Sequence, residues 1–150
     1  MDHSVYPVER VGNALEFLFM SDNSLGTNPV KKMINYTRLV RLGNVYYNLS
    51  PGDYDEKTRY LDDTVVTDNG DMRRVFRTVV STLEIFFGEH PEAQVHIDGS
   101  DSRRKAYYRK LIRDHFELVS TRYDLYGSLK GNLELFKPNI EYDFITVALR

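Results

Sequence analysis

The clearest pattern along the chain is a helical stripe in its middle. After Asp68-Asn69-Gly70-Asp71, apolar residues recur at Met72, Val75, Phe76, Val79, Val80, Leu83, Phe86 and Phe87. That recurrence, every third and fourth residue, is the mark of an amphipathic helix over about 71–88. Asp71 suits its first turn, where unpaired N–H groups and the helix dipole favour an acid. Gly88 and Pro91 stop it. A second stripe, Tyr107, Tyr108, Leu111, Ile112, Phe116, Leu118 and Val119, predicts a helix over about 101–121, opened by Gly99-Ser100-Asp101-Ser102. His115 falls on its apolar face and is expected to be a hydrogen-bonded core residue.

Elsewhere the period is two. Val30, Lys32, Ile34, Tyr36, Arg38 and Val40 alternate with Lys31, Met33, Asn35, Thr37, Leu39 and Arg41. With Val45 to Leu49 after Gly43-Asn44, residues 30–49 read as a β-hairpin, broken by Pro51-Gly52-Asp53. Leu15 to Met20 is a short apolar run that leads into the turn-formers of 21–29. Residues 94–97, 122–129, 132–136 and 140–149 are further strand segments, with Pro138-Asn139 between the last two. Strands joined by tight turns favour an antiparallel or mixed sheet. The expected fold is α+β, a single domain over 1–150 with both amphipathic helices packed on one face of the sheet.

Composition bounds the function without naming it. The chain has 150 residues, 20 Lys and Arg against 22 Asp and Glu, and a formal net charge of -2. It is no general polycation, although a local basic face is compatible with that balance. It has no Cys, hence no disulfide framework and no Cys-ligated metal. Its apolar runs fall far short of the ~20 residues that span a bilayer. MDHSVYPVER carries neither a basic start nor an apolar core, so no secretory signal and no membrane association are expected, and a cytoplasmic location is.

One constellation carries candidate chemistry. Residues 103–113 hold Arg103, Arg104, Lys105, Arg109, Lys110 and Arg113 and no acid. A Gly-Ser turn feeding a helix leaves N–H groups unpaired at the positive end of the dipole. Ser100, Ser102, Arg103, Arg104, Lys105, Tyr108 and Arg109 are therefore candidates for binding a phosphate or a nucleic-acid backbone, with the tyrosines able to stack. The plainer alternative is an ordinary Ser cap and a solvated cationic face, which Asp101 in the first turn favours. Arg104 differs from its neighbours. At 100° per residue it shares the side of Tyr108, Leu111 and His115, so it must be paired or must line a cleft. The acid-rich stretch 53–71 supplies partners, and Asp53, Asp62, Asp63 and Asp71 are the ion-pair candidates for Arg104.

Tyr47-Asn48-Leu49, Gly52-Asp53, Asp62-Asp63, Asn69-Gly70-Asp71, Thr78-Val79-Val80, Phe86, Pro91, and Gly99-Ser100 followed by Arg104 and Tyr108-Arg109 form a set. This set resembles an uncharacterised family of small bacterial proteins, mainly from Bacteroidota, over roughly residues 44–112. The chain has Asp101 where such proteins often have Thr, and Pro51 where an aromatic is usual. The resemblance implies a shared fold and brings no activity with it.

No P-loop, G-x-G-x-x-G, G-x-S-x-G or H-E-x-x-H occurs. His3, His90, His96 and His115 lack helical ligand spacing, and Asp68-Asn69-Gly70-Asp71 lacks the spacing of a calcium loop, so neither metal nor cofactor is expected. The catalytic residues of any reaction are unknown at this level. The adjacent pairs Tyr46-Tyr47 and Tyr107-Tyr108 each suggest one ring near the surface, which favours an interface. The leading expectation is a protein-interaction module, with a protein partner or a homodimer, in a setting such as a toxin–antitoxin or phage-defence locus. Nucleic-acid or phosphate binding through helix 103–113 is the alternative. A small nuclease-like enzyme using Arg104, a tyrosine and an acid is a third.

Overall fold

A computed structural model describes residues 5–22, 25–27, 29–55, 60–62, 71–97 and 102–150, without the side chains of 41, 55, 60–62, 72, 102–104 and 107. Nine strands and three helices are assigned within them. The strands are β1 (Glu9–Arg10), β2 (Glu16–Ser21), β3 (Val30–Arg41), β4 (Asn44–Asp55), β5 (Tyr60–Asp62), β6 (Gln94–Ile97), β7 (Tyr123–Leu129), β8 (Asn132–Leu135) and β9 (Phe144–Leu149). Helices α1 (Met72–Glu89), α2 (Ser102–Asp114) and α3 (Phe116–Ser120) complete the set. The fold is α+β with a mixed sheet. Strands pair in the order β1-β2-β3-β4-β6-β9-β7-β8, with β5 on β4. The β4–β6 pair is parallel, which requires a long connection, and residues 56–93, including α1, provide it. The β2–β3, β6–β9 and β7–β9 pairs are antiparallel.

The chain divides into two compact units, residues 1–36 with 50–88 and residues 37–49 with 89–150. In the first unit, α1 buries Phe76, Val79, Leu83, Phe86 and Phe87, as its stripe predicts. Tyr36 of β3 stacks on Phe86 at 4.8 Å and meets Phe17 edge-on at 6.1 Å. The buried face of α1 also holds two hydroxyls outside the apolar stripe, Thr78 and Thr82. Each is satisfied. Thr78 Oγ1 donates to Arg74 O at 2.8 Å and accepts from Tyr6 N at 2.8 Å. Thr82 Oγ1 donates to Val79 O at 2.7 Å and lies 2.7 Å from the Tyr36 hydroxyl. These bonds remove the penalty of burying a hydroxyl and fix α1 against β3 and the N-terminal segment.

In the second unit, β6, β9 and β7 bury Val95, Ile145, Val147, Tyr123 and Leu125, and α2 and α3 contribute Tyr108, Ile112 and Val119. Tyr46, His96 and Phe144 form a column of rings, at 4.2 and 4.8 Å between successive centres. Tyr47, on the other face of β4, packs against His90 at 5.2 Å. Both tyrosines of that pair are therefore buried. The expectation of one ring near the surface fails because successive residues of a strand face opposite ways and both faces here are covered.

Three boundaries differ from expectation. First, β4 runs through Pro51 and Gly52. Residues 47–48 pair with β6 and residues 53–55 with β5, so the proline falls between two partners, where its missing N–H removes no bond to either of them. Second, the helix expected over 101–121 breaks at His115, whose φ of -119° leaves the helical range. Leu111 O lies 2.9 Å from His115 Nδ1 and accepts the His115 N–H at 3.1 Å, and α3 restarts at Phe116. Third, β9 starts at Phe144, because residues before it turn, with Ile140 N donating to Lys137 O at 3.3 Å.

Candidate functional site

Helix α2 is rich in cations with a narrow apolar face, and its side chains at positions 105, 108 and 109 turn toward β9. Lys105 and Arg109 are one turn apart and so project on the same side. With the buried Tyr108 they form one wall of a small open cleft in the second unit. The other wall is Tyr142, Asp143 and Phe144, with Ile97 and Ile145 below. Phe144 is the last ring of the Tyr46–His96 column, so this wall of the cleft is held by packing.

Tyr142 is fixed still more tightly. Its ring lies over Gly127 of β7, where any Cβ would collide with it. Its hydroxyl accepts from Lys137 N at 3.0 Å. Asp143 accepts the Lys130 N–H through Oδ2 at 3.0 Å, which turns that oxygen toward the β7–β8 turn. Arg109 Nη2 meets Glu141 Oε1 at 3.3 Å, and exposure is uneven, 24% for the Arg side chain and 82% for the Glu. Arg109 is thus a held cation, and Glu141 a solvated, exchangeable counter-ion.

Of the residues singled out in the sequence, Lys105, Tyr108 and Arg109 come together on this cleft. Ser100 and Asp63 lie outside the described residues, as do the side chains of Ser102, Arg103, Arg104 and Asp62. The expected contact between Arg104 and an acid falls with them. Asp53 is engaged in a different way. Lys32 Nζ lies 2.7 Å from its Oδ1, with both side chains nearly buried, 6% and 14% exposed. Lys32 shares the strand face of Ile34 and Tyr36, and a cation on that face needs a carboxylate.

Asp71 is the centre of a second polar cluster, in the first unit. Its carbonyl accepts the Val75 N–H at 2.9 Å, which starts α1. Its carboxylate accepts from Ser21 Oγ at 2.7 Å and from the Tyr6 hydroxyl. The negative charge thus sits at the positive end of the helix dipole, as expected of Asp71. Tyr6 also stacks on Phe19 and carries the Arg74 guanidinium over its ring at 3.9 Å. Burial first, and then the bond to Asp71, push the Tyr6 phenol above its ordinary value of 10.0. Nothing in the period or motifs of the sequence points to Tyr6 or Ser21. Only the proline after Tyr6 marks that segment as extended.

The β3–β4 hairpin forms a third feature. Leu42 and Gly43 have φ of 52° and 80°, the geometry of a two-residue type I′ turn. Lys130-Gly131 repeats it between β7 and β8, at 51° and 83°. In one turn the strained first position carries Lys. In the other it carries Leu, which is 98% exposed. Val40 and Val45, opposite each other in a two-residue hairpin, are 57% and 45% exposed. Among the described residues no group of three or more His, Asp or Glu gathers as metal ligands would, and no helix is long and apolar enough to cross a membrane.

Residues 2–150 match the model of DUF6934, a family of unknown function. The chain belongs to that family. This fits the expectation of an uncharacterised family. No curated protein and no solved structure matches this DUF6934 chain.

Proposed function

We propose that the protein is an interaction module whose β3–β4 hairpin tip docks into an apolar pocket of a partner protein. The observation that carries this is Leu42. An L-residue at positive φ costs roughly 1–2 kcal/mol, and a wholly exposed leucine contributes nothing to the core. Asn or Asp at that turn position would be easier for the fold. A residue that is unfavourable both ways in the free chain is accounted for by what it contacts in a complex. Val40 and Val45 widen the apolar tip behind it. A cognate protein of a toxin–antitoxin or defence locus would be one such partner, and a second copy of the chain another.

The test is Leu42→Asn. The variant should be more stable than wild type by about 0.5–1 kcal/mol and should lose partner binding. A photocrosslinker at position 40, in cells that make the protein, captures the partner. Sedimentation over a range of concentrations tells whether it is a second copy. Capture by the Leu42→Asn chain at the wild-type level would remove the proposal.

A second reading, anion binding, is favoured by the convergence of Lys105, Tyr108 and Arg109 on one cleft. It draws on Lys105, Tyr108 and Arg109 among the sequence-based candidates. Its first test is titration with inorganic phosphate.

A further inference from the structure

We infer that two copies of the chain pair edge to edge through β8, antiparallel about a two-fold axis at Leu133. This surface is separate from the hairpin tip. Strand β8 ends the sheet, and among the described residues only β7 pairs with it. Asn132 faces Leu129 across the two-residue Lys130-Gly131 turn, as a hydrogen-bonded pair. Phe136 N–H donates to Leu125 O at 2.9 Å, in step with that alternation. Asn132, Glu134 and Phe136 therefore turn their backbone groups toward β7, and Leu133 and Leu135 turn theirs outward. The same two leucines share one face and are 55% and 66% exposed. Neither a proline nor a bulge, two devices that close an edge, interrupts β8. At the other end of the sheet β1 has only Glu9 and Arg10, a short charged edge, so pairing at β8 closes as a dimer and does not propagate.

Two observations set the register. Pairing Leu135 with Leu133 of the second copy would put the two Glu134 side chains directly opposite, like charge on like. It would also need the Leu135 carbonyl, as would pairing Leu135 with itself, and that oxygen already accepts from the Tyr142 hydroxyl at 3.5 Å. Pairing Leu133 with Leu133 avoids both. The two leucines exchange N–H and C=O bonds across the axis. Glu134 then falls opposite the second copy's Asn132, one diagonal step from its Lys130. Apolar thus meets apolar and acid approaches base, and this self-complementarity selects a second copy as the occupant. A four-residue edge is a small interface, so the dimer is weak, with Kd roughly 10–100 μM.

The experiment is sedimentation equilibrium of the full chain between about 5 and 500 μM, which should show monomer and dimer in that range. Leu133→Pro removes the outward N–H and none that points at β7, so it should weaken the dimer at least about tenfold. Leu133→Lys should do the same by setting two cations at the axis, and it serves if the proline variant fails to fold. Because the chain has no Cys, single cysteines read the register. Leu133→Cys brings two Cα atoms to about 5.5 Å and should form an intermolecular disulfide under mild oxidation. Leu135→Cys leaves them about 14 Å apart and should not. A chain that is monomeric throughout, or a dimer that survives both Leu133→Pro and Leu133→Lys, overturns the inference. Faster crosslinking at 135 than at 133 overturns the register. Loss of the dimer in Leu42→Asn would move the contact to the hairpin tip and overturn the β8 pairing.

Discussion

Tyr6 joins a backbone tie to an ionisable contact. Its N–H reaches Thr78 and its hydroxyl donates to Asp71, so one residue pins the N-terminal segment to the first turn of α1. Because burial and Asp71 raise the phenol's pKa in the folded state, the folded chain keeps this proton at pH values where the unfolded chain releases it. The contribution to stability is complete below pH 10, the ordinary tyrosine value, and is lost as pH rises through the folded pKa. Tyr6→Phe should cost about 1–3 kcal/mol at neutral pH, and its urea midpoint should fall less steeply than that of wild type above pH 10. Parallel profiles for the two chains would show that Tyr6 does not carry the alkaline limb. Lys32 and Asp53 make a complementary case. Lys32→Met leaves a carboxylate that is nearly buried without this cation and should cost about 3–5 kcal/mol, whereas Lys32→Met with Asp53→Leu should return close to wild type. Chemical denaturation of the two single variants and the double variant closes that cycle.

At the scale of elements, β7 and the turn before β9 depend on a missing side chain. Gly127 has an ordinary strand conformation, and its value is space: Tyr142 occupies the volume of its Cβ. Gly127→Ala should therefore destabilise by about 1–3 kcal/mol and displace Tyr142, moving the amide resonances of Lys137 and Phe144. A variant with wild-type Tm and unshifted resonances would show that the ring moves aside freely. The same contact explains what was and was not legible beforehand. The stripe of α1 and the alternation of β3 were legible because one face of each is buried, and that leaves a period of 3.6 or 2 in the sequence. Alternation even placed Lys32 beside Ile34 and Tyr36, although not its partner on β4. Thr78 and Thr82 were invisible because a hydroxyl satisfied in the core looks like a surface residue in the chain. Gly127 and Tyr142 were invisible because a contact between a strand and a turn distant in sequence has no local signature. Of the cleft, the α2 wall was readable as Lys105, Tyr108 and Arg109. The β9 wall needed the fold, since residues 142–144 become neighbours of α2 only through the β6–β9 pairing.

For the molecule as a whole, the question is whether the cations of α2 add up to a surface for a polynucleotide. The net charge of -2 gives no long-range attraction to a polyanion. Locally, Arg109 faces Glu141 at 3.3 Å and Arg113 faces Asp114 at 3.6 Å, so part of the basic run is already neutralised. Away from α2, Arg150 pairs with Asp124 and Lys137 with Glu134. A duplex gains affinity by releasing about 0.9 counterion per phosphate neutralised. If all six cations between 103 and 113 engaged phosphates, log K against log salt would fall with a slope near about -5, and if only Lys105 and Arg109 did so, near about -2. The cleft presents those two, so a labelled duplex of about 20 base pairs should bind with the shallow slope and with Kd no tighter than roughly 10⁻⁴ M at physiological salt, the weak end of non-specific binding. Fluorescence anisotropy between about 0.05 and 0.2 M salt measures both quantities. A slope near -5 with micromolar or tighter binding would make the whole face of α2 a nucleic-acid surface.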